Sequence, residues 1–108
     1  MPRVRLCALT ELPELQSRVF DAGGLRLAVA RSGSAVFAVE DRCSHDDGEL
    51  GEGRVLAGAD GAEIECPRHG ARFDLASGRA TRMPAVAPIE CFRAGVTDGD
   101  VWVDLPEE

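Results

Sequence analysis

The sequence lacks any long apolar run, lacks an excess of positive charge and has only two histidines, and each shortage removes a class of function. No stretch approaches the roughly 18 consecutive apolar residues that span a bilayer. The first fifteen residues are punctuated by Arg3, Arg5, Glu11, Pro13 and Glu14, so neither a signal peptide nor a membrane anchor is expected and the expected location is cytoplasmic. Twelve basic residues stand against nineteen acidic ones, a net charge of −7. A surface of that sign repels nucleic acid and anionic lipid, so no nucleic-acid or membrane partner is expected and basic protein surfaces fit better. Glycines are present, but Gly51-Glu52-Gly53 and its neighbours make no nucleotide fingerprint, and no nucleophile–base pair stands out.

What is present is a chain of 108 residues, enough for one domain over residues 1–108, with 44% hydrophobic residues to fill a small core. A domain of this size is modestly stable and gains from a metal centre. Short alternating runs divided by turn signals predict an all-β fold of antiparallel strands. Strands are expected at Arg3–Cys7, Leu25–Val29, Ala35–Val39, Arg54–Leu56, Ala62–Glu65, Arg72–Leu75, Ala80–Met83, Ile89–Val96 and Val101–Leu105. Between them, Ser32-Gly33-Ser34, Gly58-Ala59-Asp60-Gly61, Ser77-Gly78 and Asp98-Gly99-Asp100 read as turns. The segment Leu12–Phe20, broken by Pro13, reads as ambiguous with one helical turn at most. Two prolines make residues 83–88 an ordered irregular loop.

The four cysteines suggest metal binding more than disulfides, because Cys43 and Cys66 lie two and three residues from His45 and His69, the only histidines. Cys7 and Cys91 have no histidine nearby and read as buried structural thiols. The two loops read Cys43-Ser44-His45 and Cys66-Pro67-Arg68-His69, with twenty residues between them. Thiolate and imidazole bind both zinc and iron, and four such groups serve one tetrahedral ion or a two-iron cluster. Zinc sites more often show Cys-x-x-Cys or closely spaced histidine pairs, whereas one Cys and one His on each loop suits two loops clamping two metals. Gly70 allows backbone to approach such a group, and Pro67 stiffens the loop.

Cys-x-His, then about twenty residues, then Cys-x-x-His-Gly, in a short all-β chain, resembles the Rieske [2Fe–2S] proteins over essentially the whole length. The resemblance implies a Rieske-like domain of antiparallel sheets with a two-loop cluster-binding subdomain. It implies one [2Fe–2S] cluster, with Cys43 and Cys66 on one iron, His45 and His69 on the other, and the loop around Pro84 covering it. Departures from the high-potential members are specific. The extra loop cysteines of that subclass are replaced by Gly48 and Arg68, its serine by Ala71 and its tyrosine by Phe73. Two hydroxyl donors that would stabilise the reduced, more negative cluster are missing, which places the potential toward the lower part of the range of about −150 to +300 mV. Ring protons on the histidines should make that potential fall at alkaline pH.

The resemblance is to the ferredoxin subclass. Four protein ligands leave no open metal position, so an electron carrier is expected rather than an enzyme. The ferredoxins of multicomponent aromatic-ring dioxygenases imply an NAD(P)H-dependent flavin reductase and a non-haem iron terminal oxygenase as partners, and a monomer is expected. Nitrite reduction or iron–sulfur cluster assembly is the alternative destination, and a zinc-stabilised interaction module the reading from another class. Arg68, Asp46 and Asp47 beside the ligands read as solvated loop residues, the alternatives being that Arg68 raises the potential or contacts a redox partner and that Asp46 and Asp47 raise the pKa of His45 or dock a basic partner; Trp102 and Phe73 read as packing residues.

Overall fold

The computed structural model describes residues 3–42, 50–51, 53–58, 61–68 and 70–105. Its strands are β1 (Arg3–Ala8), β2 (Ser17–Ala22), β3 (Leu25–Ser32), β4 (Ala35–Glu40), β5 (Val55–Gly58), β6 (Gly61–Glu65), β7 (Arg72–Asp74), β8 (Ala80–Arg82), β9 (Cys91–Phe92), β10 (Ala94–Thr97) and β11 (Asp100–Asp104). They form three antiparallel sheets, ordered β1-β11-β10, β2-β3-β4-β9 and β5-β6-β7-β8. The expected all-β antiparallel architecture is what the chain adopts. Among the described residues the helical content is a single 3₁₀ turn, Leu9–Glu11, where the Glu11 carboxylate accepts a hydrogen bond from the Ala8 N–H at 2.7 Å.

The middle sheet separates two cores, because successive side chains of a strand point to opposite faces. Leu27 and Val29 of β3, with Val36 and Ala38 of β4, pack toward Cys7, Leu12, Val101 and Val103. Ala28 and Ala30 of β3, with Val39 of β4, pack the other way, toward Ile64, Cys66, Phe73 and Leu75. Strand β3 is thus buried on both faces, which explains its near-continuous apolar run. We call the two-sheet body around the first core the base and the β5–β8 sheet over the second core the cap.

Two segments differ from the sequence expectation. The ambiguous stretch Leu12–Phe20 runs from Ser17 into a full strand, β2, which continues to Ala22 and is joined to β3 by the two-residue turn Gly23-Gly24. Its alternation is weak, with only Ala22 fully buried, because β2 is an edge strand of the middle sheet. The stretch Ile89–Val96 is not one strand: Cys91–Phe92 pairs with β4, and after Arg93 the chain changes sheets so that Ala94–Thr97 pairs with β11. That crossing ties the base together.

Candidate metal centre

Of the four expected ligands, Cys66 is described, while Cys43, His45 and His69 lie outside the described residues, as do Asp46, Asp47 and Gly48. Cys66 follows the last residue of β6 and is 1% exposed, packed in the core that also holds Leu50, Ala71, Phe73 and Ala85. Its backbone closes the second loop at its base. The Cys66 N–H donates to the Ala71 carbonyl at 2.7 Å, and the Gly70 N–H donates back to the Cys66 carbonyl at 3.1 Å. Gly70 has φ +75°, and no described atom lies within 4 Å of where its Cβ would be, so backbone conformation rather than crowding calls for glycine there.

The first loop is closed by a residue that no sequence pattern marks. Asp41, whose side chain is fully buried, accepts hydrogen bonds at Oδ1 from the backbone N–H groups of Leu50 at 2.7 Å and Gly51 at 2.6 Å. Its Oδ2 accepts from Arg26 Nε at 2.7 Å. One carboxylate therefore joins the two ends of the segment that carries Cys43 and His45. Charge-assisted bonds to backbone N–H groups are among the stronger ones available to a protein. Ser17 Oγ adds a bond to the Gly51 carbonyl at 2.7 Å. Gly53 then passes so close to the second loop that a Cβ would sit 1.9 Å from the Glu65 carbonyl oxygen, which brings the root of the first loop against the residue before Cys66.

On the outer face next to Cys66, Glu65 is flanked by arginines. Arg72 Nε donates to its carboxylate at 2.9 Å, Arg54 Nη2 lies 3.3 Å from it and Arg82 Nη1 4.0 Å. The hydrogen bond from Arg72, with the charge of Arg54 behind it, holds the Glu65 carboxyl below its usual range. In the loop after β8, Ala85 is buried while Met83 and Val86 are 76% and 81% exposed. The irregular loop expected over residues 83–88 is present.

The other residues singled out by sequence fall as follows. Ala71 and Phe73 are fully buried beside Cys66, as packing residues without hydroxyl groups. Cys7 is a buried thiol of the base core, as expected. Cys91 is only half-buried against the cap core, its Sγ 3.6 Å from the Leu75 carbonyl. Burial pushes both thiols above their usual pKa, so neither is an activated thiolate. Trp102 is a packing residue at the surface of the base, with its Nε1 donating to Thr97 Oγ1 at 3.0 Å and the Arg3 guanidinium 3.6 Å from the ring centroid.

A buried thiol at the end of a strand, on a loop whose backbone is already closed, fits a metal centre of thiolate donors, as the sequence pattern requires. Comparison with known proteins decides which kind. The model of the Rieske [2Fe-2S] domain matches residues 3–93. The chain belongs to the Rieske [2Fe–2S] domain family. Its cofactor is accordingly a Rieske-type [2Fe–2S] cluster. The chain is 35% identical over 107 residues to the 3-phenylpropionate/cinnamic acid dioxygenase ferredoxin subunit of Escherichia coli K12, covering 99% of this chain and 97% of that protein. Its fold matches the ferredoxin of carbazole 1,9a-dioxygenase from Nocardioides aromaticivorans IC177 with a TM-score of 0.88 at 33% identity, covering 95% and 97% of the two chains. It also matches a chain in the complex of reduced oxygenase and oxidized ferredoxin of carbazole 1,9a-dioxygenase, with a TM-score of 0.83 at 32% identity over 94% and 91%. This Rieske protein is thus similar to electron-transfer components of dioxygenase systems. No helix among its described residues is long and apolar enough to cross a membrane.

Proposed function

We propose that this Rieske protein is a one-electron carrier that receives electrons from an NAD(P)H-dependent flavin reductase and delivers them to a non-haem iron terminal oxygenase. The observation that carries the reading is the end-to-end match, at 35% identity, to a dioxygenase ferredoxin subunit. Cys43, His45, Cys66 and His69 are the proposed ligands. Once bound, the cluster supplies a one-electron couple whose irons have no vacant position for substrate, so the protein itself turns over nothing.

The chain's own residues prepare that site. Cys66 is held in a water-excluded position by the Cys66–Ala71 and Gly70–Cys66 backbone bonds, so little rearrangement accompanies a change of charge. Asp41 fixes both ends of the loop bearing Cys43 and His45. Ala71 and Phe73 add packing but no hydroxyl donor, which supports a potential in the lower part of the Rieske range.

The test combines the purified protein with the flavin reductase and terminal oxygenase of an aromatic-ring dioxygenase. NADH-driven hydroxylation that stops when this protein is left out supports the proposal. A protein that carries iron, sulfide and visible absorption yet is never reduced by a reductase sinks the partner assignment. Zinc in place of iron and sulfide sinks the carrier itself. Replacing Cys66 with Ser or His69 with Ala should abolish the visible spectrum.

A further inference from the structure

The net charge of −7 points to basic partners, but the charge is not spread evenly. Residues 53–82, which build the cap, contain five arginines against four acidic residues; the rest of the chain contains seven against fifteen, four of the fifteen being Asp46, Asp47, Glu49 and Glu52 of the first ligand loop. Three of the five cap arginines are also placed in line. Arg54 directly precedes β5, and in the sheet register Glu65 faces Arg72, which faces Arg82. Four neighbouring side chains thus form a row across the sheet, at the end that leads into Cys66, with three positive charges and one negative.

The single carboxylate does not exhaust these arginines. Arg54 and Arg82 remain 70% and 58% exposed. The chain continues from Arg82 into Met83 and then Val86, two of the three large apolar side chains exposed among the described residues. Arginine and methionine flanking an exposed apolar spot is the composition of a protein contact. A water-facing patch of this kind beside a redox centre is suited to being covered only while an electron passes.

Resting on the carrier reading above, we infer that the Arg54–Arg72–Arg82 row with Met83 and Val86 is the docking surface for a redox partner whose matching face carries carboxylates around an apolar centre. Opposite charge across the contact speeds encounter and fixes orientation. The arginine row attracts the partner locally despite the net negative charge of the protein. One pole therefore orients the approach.

Small redox ions read this directly. The dithionite-reduced protein gives one electron to ferricyanide, which becomes ferrocyanide as the protein is oxidised, and stopped-flow absorption follows the step. At low ionic strength the rate with this trianion should fall as salt is added. The double variant Arg54→Gln/Arg82→Gln, which keeps the Arg72–Glu65 bond, should slow it roughly fivefold. A matched control, Arg5→Gln/Arg93→Gln in the base, loses the same charge and should change the rate little. With tris(phenanthroline)cobalt(III), a cation, the cap variant should react faster. A ferricyanide rate that rises with salt, or equal effects of the two double variants, overturns the inference, since net charge alone would then govern approach. Hexacyanocobaltate, an inert anion of the same charge, tests the surface with or without a cluster. Side-chain NMR shifts confined to Arg54, Arg72 and Arg82 support the assignment, and shifts at other arginines overturn it. A dimer in sedimentation that the cap variant dissociates would assign the surface to a second copy and overturn the partner. Absence of iron and sulfide would instead defeat the carrier reading, leaving the anion result to stand on its own.

Discussion

The cores of the base and the cap lie on opposite faces of the middle sheet, yet they are held together in different ways. The base core is closed by aliphatic side chains on strands of mostly four to eight residues, with Leu12, Leu27, Val29, Val101 and Val103 fully buried. The cap sheet has strands of three to five residues, and its core mixes Phe73 and the aliphatic Val39, Leu50, Val55, Ile64, Leu75 and Ile89 with five alanines and the Cys66 thiol, where the base core has two alanines and Cys7. Small residues let the layers approach but bury little area each, so polar clamps such as Asp41 add to the packing of the cap. Apolar packing dominates the base, whereas the cap is a frame for a site.

Two core truncations test that difference most strongly. Phe73→Ala, in the cap, should cost about 4 kcal/mol, and Leu27→Ala, in the base, about 3 kcal/mol. Trp102 is the only tryptophan and belongs to the base, so its fluorescence follows one region while the visible absorption of the cluster follows the other. In a urea titration Phe73→Ala should lose the visible band well before the Trp102 signal changes. Leu27→Ala should lose both together. If the two signals stay coincident in both variants, the molecule is a single cooperative unit and the contrast fails.

The Asp41 clamp comes next. Asp41→Ala leaves the Leu50 and Gly51 N–H groups without their acceptor and the Arg26 guanidinium without its carboxylate, a loss of about 3 kcal/mol. It should fall on the cap, read as a lowered iron and sulfide content with base fluorescence unchanged. Asp41→Asn keeps an amide oxygen for the two N–H groups and should retain most of the cluster. Equal losses in both variants would show that charge, not loop closure, is what Asp41 contributes.

A smaller effect concerns electrons rather than folding. Ala71→Ser places a hydroxyl beside the loop that carries Cys66. Should that hydroxyl donate to the reduced cluster, a bond worth about 1.4 kcal/mol raises the potential by roughly 60 mV for a one-electron couple. Protein-film voltammetry measures this. An unchanged potential would mean that Ala71 faces only the core.

How much of this was legible in the sequence follows from where the information sits. The strand alternation, the turns and the Cys-His spacing are one-dimensional patterns, and they led to the all-β class and the family. The hairpin turn Gly23-Gly24 was also there to be read, but weak alternation on the edge strand β2 hid it. The change of sheet at Arg93 was not readable, because both halves of Ile89–Val96 look equally strand-like and only tertiary pairing separates them. Asp41 was invisible for a different reason: its partners are backbone N–H groups, which no residue pattern encodes. The arginine row was hidden by the opposite problem, since net charge averages over a surface that the fold divides.

The smallest effect belongs to the base and to pH. Arg3 donates to Asp104 through Nε at 2.8 Å and Nη2 at 3.2 Å while lying over Trp102. That hydrogen bond, more than charge alone, holds the Asp104 carboxyl below its usual range and raises the Arg3 guanidinium. A carboxyl whose pKa is lower in the folded chain than in the unfolded one contributes stability above its unfolded value, about 3.9, and that contribution is lost as pH falls through the folded value. The urea midpoint followed by Trp102 fluorescence should therefore drop as pH is lowered from about 5 toward 2, and Arg3→Gln should drop less. Other carboxylates titrate in the same window, so the difference between the two proteins is the measure. Should the two curves run parallel, the Arg3–Asp104 pair contributes nothing to the base, and its stability rests on apolar packing alone.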